Sequence, residues 1–291
     1  MSPRINRAVE LLAQDQPLYY VGDHTGHVLT YEQGRQDAAT WADYINVGME
    51  HGAFDMTGLA AYMQGLVDGG PTRSGHRTPT VIVEAPVEGV SAEIVRFNAW
   101  QFRQILARGV HGILLCQAES ADAVRAFVAA CRYPVNQLGV GANVGCRGVG
   151  GEQTATAIWG VDRDEYLRVA EPWPLNPDGE LLLGLKIESA AAIPHIEEIL
   201  SVPGIGFAEM GPGDLSLSLG YRRLPRPYPP EMMAVRERVA AACLAHGIAF
   251  LETATPEDVT AKIDAGARVI AGHREDTAQV GRAHTKRTMP V

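Results

Sequence analysis

The chain has 291 residues, 46% of them hydrophobic and 20% charged, with a formal net charge of −9. The hydrophobic share is that of a globular protein with a sizeable core, and the length accommodates one α/β barrel, which takes about 250 residues. No apolar run approaches the ~20 residues that span a bilayer. An acidic balance of 34 against 25 argues against a nucleic-acid partner, which needs a basic face. Cys116, Cys131, Cys146 and Cys243 show no CxxC spacing, and residues 1–17 contain no cationic, apolar leader. A cytoplasmic protein with free, mostly buried thiols is expected.

LYYV (18–21) reads as a first strand, followed by a helix over 30–41 that Thr30 can cap. DYINVG (43–48) is a second strand, and 56–67 a helix. TVIVEAP (80–86), β-branched and ended by proline, is a third strand. The helix over 91–108 opens on a serine cap with acid in its first turn and stops before Gly109. GILLC (112–116) is a fourth strand, with a serine-capped helix over 120–132. A glycine-rich stretch over 139–151 follows a helix and opens none, so it reads as a flexible loop rather than a phosphate cradle. With the segment to residue 177, which carries Trp159, Tyr166 and Trp173, it makes a long insertion.

LLLGLKI (181–187) is the fifth strand, with a helix over 189–200, and GFAEM (206–210) is the sixth. A helix over 229–246 closes at Gly247, IAFL (248–251) is the seventh strand, 256–265 a helix and 269–271 a short eighth strand. The tail after Gly272 is polar and basic, a loop or docking arm. This alternation predicts a single-domain (β/α)8 TIM barrel over 1–291, with an N-terminal helical extension over about 1–17 and an inserted loop over about 139–177. A doubly wound open sheet is the alternative, but no GxGxxG stands at the first strand–helix turn.

Barrel enzymes carry their chemistry at the C-terminal ends of the strands. That filter leaves Asp23 and His24, Glu50 and His51, Glu84, Lys186 and Glu188, Glu209 and Asp214, and Glu252. Lys186 and Glu188 are two apart on a strand and face the same way. Charges facing a lumen are costly unless paired or used to hold an ion. Glu188 with Asp214 supplies two carboxylates from adjacent strand ends, which suit Mg²⁺ or Mn²⁺ with an oxygen-rich small-molecule substrate. The plain alternative for both is helix capping. His51 is a candidate general base, or else an ordinary surface-loop histidine.

The stretch GLKIESAAAIPHIEEILSVPGIGFAEMGPGDLSLSLGY (184–221) resembles the HpcH/HpaI aldolase family of metal-dependent class II pyruvate aldolases. It carries E-S-x-x-A, E-I-L-x-V-x-G-I and G-P-x-D-L-S-x-S-L-G elements. Weaker similarity covers MEHGAFD (49–55), the RYP…GVGANV run and IWG (158–160). The resemblance implies a (β/α)8 barrel, Glu188 and Asp214 as metal ligands, and Glu50 and His51 as a catalytic E-H element with His51 as base. It implies that Gly211, Pro212 and Gly213 lie beside the substrate's carboxylate and oxo group. The implied reaction is aldol cleavage or addition through an enolate of a 2-oxo acid. A homo-oligomer, a dimer or hexamer, is implied as well.

Three positions depart from the family's pattern. Glu84 stands where the family has a strand-three arginine that grips the pyruvate carboxylate. Gly48 and Met49 stand where an acidic residue orients the histidine. Lys186 replaces the glutamine two before the metal glutamate. Glu84 and Lys186 are therefore expected to set what is bound, as a buried ion pair, through anion binding by Lys186, or with Lys186 as a Schiff-base amine. Glu209 adds a further acid, Arg147 and Arg77 are candidate replacement cations, and Tyr44, Trp159 and Trp173 are candidates to line an acceptor pocket. The expected function is a metal-dependent carbon–carbon lyase acting on a hydroxy-oxo acid or related β-hydroxycarbonyl compound. The alternatives are a related barrel lyase or hydrolase on a non-pyruvate substrate, or a non-catalytic ligand-binding barrel.

Overall fold

In the computed structural model, which describes residues 4–138, 145–271 and 274–291, nine parallel strands form one sheet. They are β1 (Leu18–Asp23), β2 (Tyr44–Gly48), β3 (Thr80–Glu88), β4 (Gly112–Cys116), β5 (Pro172–Trp173), β6 (Leu181–Ile187), β7 (Phe207–Met210), β8 (Ala249–Thr253) and β9 (Ala267–Ala271). Pairing of β1 with β9 and of β4 with β6 closes eight of them into a barrel, and β5 is a two-residue addition on β6. The helices are α1 (Arg7–Ala13), α2 (Tyr31–Asp37), α3 (Met56–Gly69), α4 (Ala92–Leu106), α5 (Ala121–Cys131), α6 (Glu152–Trp159), α7 (Arg163–Val169), α8 (Ile196–Leu200), α9 (Pro212–Ser218), α10 (Pro230–His246), α11 (Val259–Asp264) and α12 (Glu275–His284). The open-sheet alternative is excluded by this closure.

The predicted caps form. Thr30, Ser91 and Ser120 accept hydrogen bonds from the third residue of their helices at 3.1, 3.3 and 3.3 Å, and Gly247 ends α10 in the left-handed region. Two expectations are corrected. The insertion over 139–177 is not a loop throughout: residues 139–144 lie outside the described residues, but α6, α7 and β5 follow, burying Trp159 and Tyr166. The tail is not a free arm either. α12 packs on the barrel because Arg282 and Arg287 reach Asp43, just ahead of β2, at 3.3 and 2.5 Å.

Asp43 is wholly buried and also meets Arg7 of α1 at 3.8 Å and the amide of Tyr19 at 2.9 Å. Burial works against its ionisation, but the Arg287 fork and the neighbouring guanidinium charges outweigh it and hold the carboxyl below its ordinary range. Strand alternation sends Tyr20, Tyr44, Ile82, Leu114, Leu182 and Phe207 into the lower lumen, where Ala8, Val9 and Leu11 of α1 pack against them. Two residues further along β2, β3 and β7, and four along β6, the lumen turns polar, with Asn46, Glu84, Lys186 and Glu209 all buried. The bottom of the barrel is therefore an apolar support, and the top is a charged chamber.

Replacing Asp43 with alanine leaves three arginines around a buried gap and should cost about 3–5 kcal/mol in urea unfolding. A pH effect is expected at Glu180, below the lumen, whose carboxyl burial pushes up to about 7 against a hydrogen bond from the Asn6 amide. A raised folded-state pKa means that its stabilising contribution is present below the ordinary carboxylate range and is lost as pH rises through about 7. Urea midpoints at pH 5.5 and 8 should therefore differ less in Glu180→Gln than in the natural chain.

Candidate active site and metal centre

The upper lumen is organised around Lys186, near the C-terminal end of β6. Its side chain is 5% exposed; Nζ donates to Glu50 Oε2 at 2.7 Å and forms an ion pair with Glu84 Oε1. Glu84 is fully buried on β3. Its carboxylate also accepts from Asn46 Nδ2 of β2 at 3.2 Å, and His24 Nδ1 lies 2.8 and 2.7 Å from its two oxygens. Lys186 is paired with Glu209 across the β6–β7 ladder, so that acid faces the same chamber.

Burial opposes the charge on Lys186, yet the carboxylates of Glu209, Glu188 and Glu50 outweigh it and hold the ammonium above its ordinary range. A Schiff-base nucleophile needs the opposite shift. Burial likewise opposes ionisation of Glu50, but the hydrogen bond and charge of Lys186 keep its carboxyl low. Both acids that touch the ammonium hold it in ion-pair contact, so the buried pair is present and Lys186 is already engaged on two sides.

Glu188 follows β6 directly and is 2% exposed. Its Oε1 accepts from the Gln117 amide at 2.8 Å, where Gln117 takes a left-handed φ of 49° just after β4. Its Oε2 is packed against Gly211, where an added Cβ would come within 2.2 Å, so only glycine admits the close approach. No cationic side chain lies within 4.0 Å of Glu188 among the described residues, and burial pushes its carboxyl up to about 8. Asp214 sits in the first turn of α9 rather than in an open loop, behind Pro212 at the helix start and the exposed Gly213. Glu50 stands between the two. It groups with Cys116 and Glu188, and separately with His51 and Asp214, with ligand atoms within 4.8 Å of one another. The carboxylates of Glu50, Glu188 and Asp214 are hard oxygen donors of the kind that suits a divalent cation, although Glu188 and Asp214 fall in different groups, one completed by a thiol and the other by an imidazole.

His51 is an exposed residue of the β2–α3 loop, and the only carboxylate within 4.0 Å among the described residues is Glu50, at 3.7 Å. No acid replaces the partner missing at Gly48 and Met49. Three other expectations are corrected. Arg147 is buried against the rings of Tyr133 and Tyr166 and donates to Tyr166 Oη at 2.6 Å. Arg77 donates to the carbonyl oxygens of Ile158 and Ala157, so neither arginine enters the site. Tyr44, Trp159 and Trp173 line no acceptor pocket. Tyr44 stacks on Tyr20 in the lower lumen, Trp159 donates to Gly109 O ahead of β4, and Trp173 pairs with the start of β6.

The structure adds residues to which the sequence assigned no role. Asn46 was signalled only as a polar residue inside an apolar strand. His24 was visible as a strand-end residue without a partner, and Cys116 as a small buried side chain. The Gln117 amide gave no sequence signal at all.

A closed parallel barrel with an acidic chamber at its C-terminal rim has the architecture of the barrel enzymes, which carry their active sites at that rim. The model of the HpcH/HpaI aldolase/citrate lyase family matches residues 83–279, and the chain belongs to that family. A hydroxypyruvate/pyruvate aldolase of Cupriavidus necator is 30% identical over 210 residues, 71% of each chain. A 2-keto-3-deoxy-L-rhamnonate aldolase of Klebsiella pneumoniae is 35% identical over 136 residues, 47% of this chain and 42% of that one. A solved HpcH/HpaI aldolase/citrate lyase family protein from Burkholderia cenocepacia shares the fold with a TM-score of 0.70 at 23% identity, covering 97% of both chains. The protein is thus an enzyme, a carbon–carbon lyase, and the non-catalytic alternative falls away.

Lys186→Gln leaves the buried Glu84 and the part-buried Glu50 without their counter-charge and is expected to cost about 3–5 kcal/mol in urea unfolding. Adding Glu84→Gln removes one of the orphaned charges, so the double variant should be more stable than the single one.

Proposed function

We propose that the enzyme cleaves, and in reverse forms, the carbon–carbon bond between a 2-oxo acid and an aldehyde, with Glu188 and Asp214 holding Mg²⁺ or Mn²⁺. The observation that carries this reading is a surplus of buried carboxyl groups, two of which, Glu188 and Glu209, burial pushes toward the neutral form when no further cation faces them. Glu50, Glu84, Glu188 and Glu209 surround one ammonium, and that ammonium is already shared by two of them. A further cation is needed before an anionic substrate can enter such a chamber. When bound, the cation polarises the substrate carbonyl and stabilises the negative charge that bond cleavage sends to its oxygen.

The chain's own residues supply positioning and proton transfer. Glu188 is held rigid by the Gln117 amide and Gly211. Glu50 bridges the metal carboxylates and Lys186. His51, at the open rim, takes the proton of the hydroxyl whose carbon becomes the aldehyde. Gly211, Pro212 and Gly213 border the substrate's carboxylate end, and Glu84, Lys186 and Glu209 set what fits against it. The name of the Cupriavidus necator relative points to pyruvate or hydroxypyruvate as the 2-oxo acid. The buried Glu84 favours a donor whose carboxylate is met by the cation and backbone rather than by an arginine fork.

The proposal extends to a homo-oligomer, a dimer or hexamer, for which α4 offers the exposed Phe97 and Trp100, and to a cytoplasmic location, in keeping with four free cysteines. No described helix is long and apolar enough to cross a membrane. Dialysis against a chelator should abolish aldol cleavage, and Mn²⁺ or Mg²⁺ should restore it. Since the cation supplies several kcal/mol of charge stabilisation, Glu188→Gln should lower turnover at least about a hundredfold with unfolding unimpaired. Turnover that survives both treatments would overturn the reading.

A further inference from the structure

We propose that His24 is a second proton-transfer residue of this site, oriented by Glu84 to exchange a proton with the carbon beside the substrate's oxo group. His24 follows β1 on the C-terminal rim, and its side chain is 46% exposed, while the carboxylate that holds it is fully buried. Nδ1 lies 2.8 and 2.7 Å from Glu84 Oε1 and Oε2. A carboxylate paired with Lys186 has no hydrogen to give, so Nδ1 carries the hydrogen and donates it. Lys186 Nζ is 3.5 Å from Nδ1, too long to compete with the two shorter contacts. The neutral ring therefore presents a bare Nε2 lone pair at its exposed end.

Glu84 is itself immobilised by Asn46 and Lys186, so the ring is aimed by a fixed acceptor. His51 lacks such a partner, its nearest acid standing at 3.7 Å. The two histidines arise from touching backbones, since the His51 amide donates to the His24 carbonyl oxygen at 3.4 Å. The charged groups facing His24 are Glu84 from β3, Lys186 from β6, Glu209 from β7 and Asp23 of its own turn.

This assignment rests on the aldolase reading, because that reaction has two proton transfers. In cleavage the hydroxyl O–H bond breaks and its pair forms the aldehyde C=O. The carbon–carbon pair passes into the enolate, and the enolate carbon then gains a proton to form a C–H bond. His51 takes the first proton and passes it to solvent, and His24 gains a proton from solvent at Nε2 and, as imidazolium, delivers it to the enolate carbon as the second. In condensation neutral His24 removes the proton from that carbon. No oxidant or further reactant is needed.

The test uses the Mn²⁺-loaded full chain in D₂O with pyruvate and, separately, hydroxypyruvate, following exchange of the protons beside the oxo group by NMR. His24→Asn should slow exchange by about 10²–10⁴-fold, the range of a lost acid–base group, with Mn²⁺ affinity unchanged. Long-range ¹H–¹⁵N spectra of histidine-labelled protein, assigned by the signal lost in His24→Asn, should show the Nδ1–H tautomer. Exchange in His24→Asn at the natural rate, or an Nε2–H tautomer in the natural chain, overturns the proposal while the aldolase reading stands. Absence of exchange in the natural chain with both probes overturns the aldolase reading, and the role of His24 with it.

Discussion

The upper barrel depends on one buried positive charge. Lys186, 5% exposed, is the counter-ion that lets Glu50 and Glu84 remain ionised inside the lumen. A buried charge without partners would cost several kcal/mol, and a lysine flanked by two acids with further carboxylates behind them is the arrangement that avoids it. The same contact determines the chemistry at its edges. By engaging Glu84 it leaves that carboxylate as a pure acceptor for His24, and by engaging Glu50 it fixes the residue that stands between Glu188 and Asp214.

Two of the three departures from the family pattern, Glu84 and Lys186, are therefore linked, because the two side chains form one ion pair. An arginine and a glutamine have become a glutamate and a lysine, so the pair's net charge falls from +1 to zero, although one cationic side chain remains. That charge now lies in a different place and is shared internally instead of being offered to a substrate. In the proposed function, with the fork gone, recognition of an anionic donor falls to a cation held by Glu188 and Asp214 and to the backbone around Gly211. The missing acid ahead of the E-H element is matched by a carboxylate behind a different histidine.

The chamber works because the lower half of the barrel asks nothing of it. Tyr20, Tyr44, Phe207 and their neighbours fill the lumen below, α1 packs against them, and the Asp43 cluster ties α1, β2 and α12 together at the opposite rim. Stability is concentrated at the N-terminal end of the strands, so the C-terminal end carries an acidic surplus that would otherwise be destabilising.

The strands, most of the helices and their caps were legible in the sequence because each depends on local spacing: apolar runs, a serine or threonine ahead of a helix, a glycine behind it. The tail and the 139–177 segment were misread because tertiary partners, buried Asp43 and the core around Trp159 and Tyr166, decide their structure. The strings around Glu188, Asp214 and the E-H element were legible as motifs because each is contiguous, and the roles of those residues belong to the proposed function. What faces what was decided only by closure of the barrel. Lys186 reaches Glu50 across 136 residues and His24 reaches Glu84 across 60, and both contacts depend on strand register around the whole ring. The sequence determined which charges the chain carries to the strand ends, and tertiary structure alone decided which of them meet, because register and shear are properties of the closed sheet and not of any one strand.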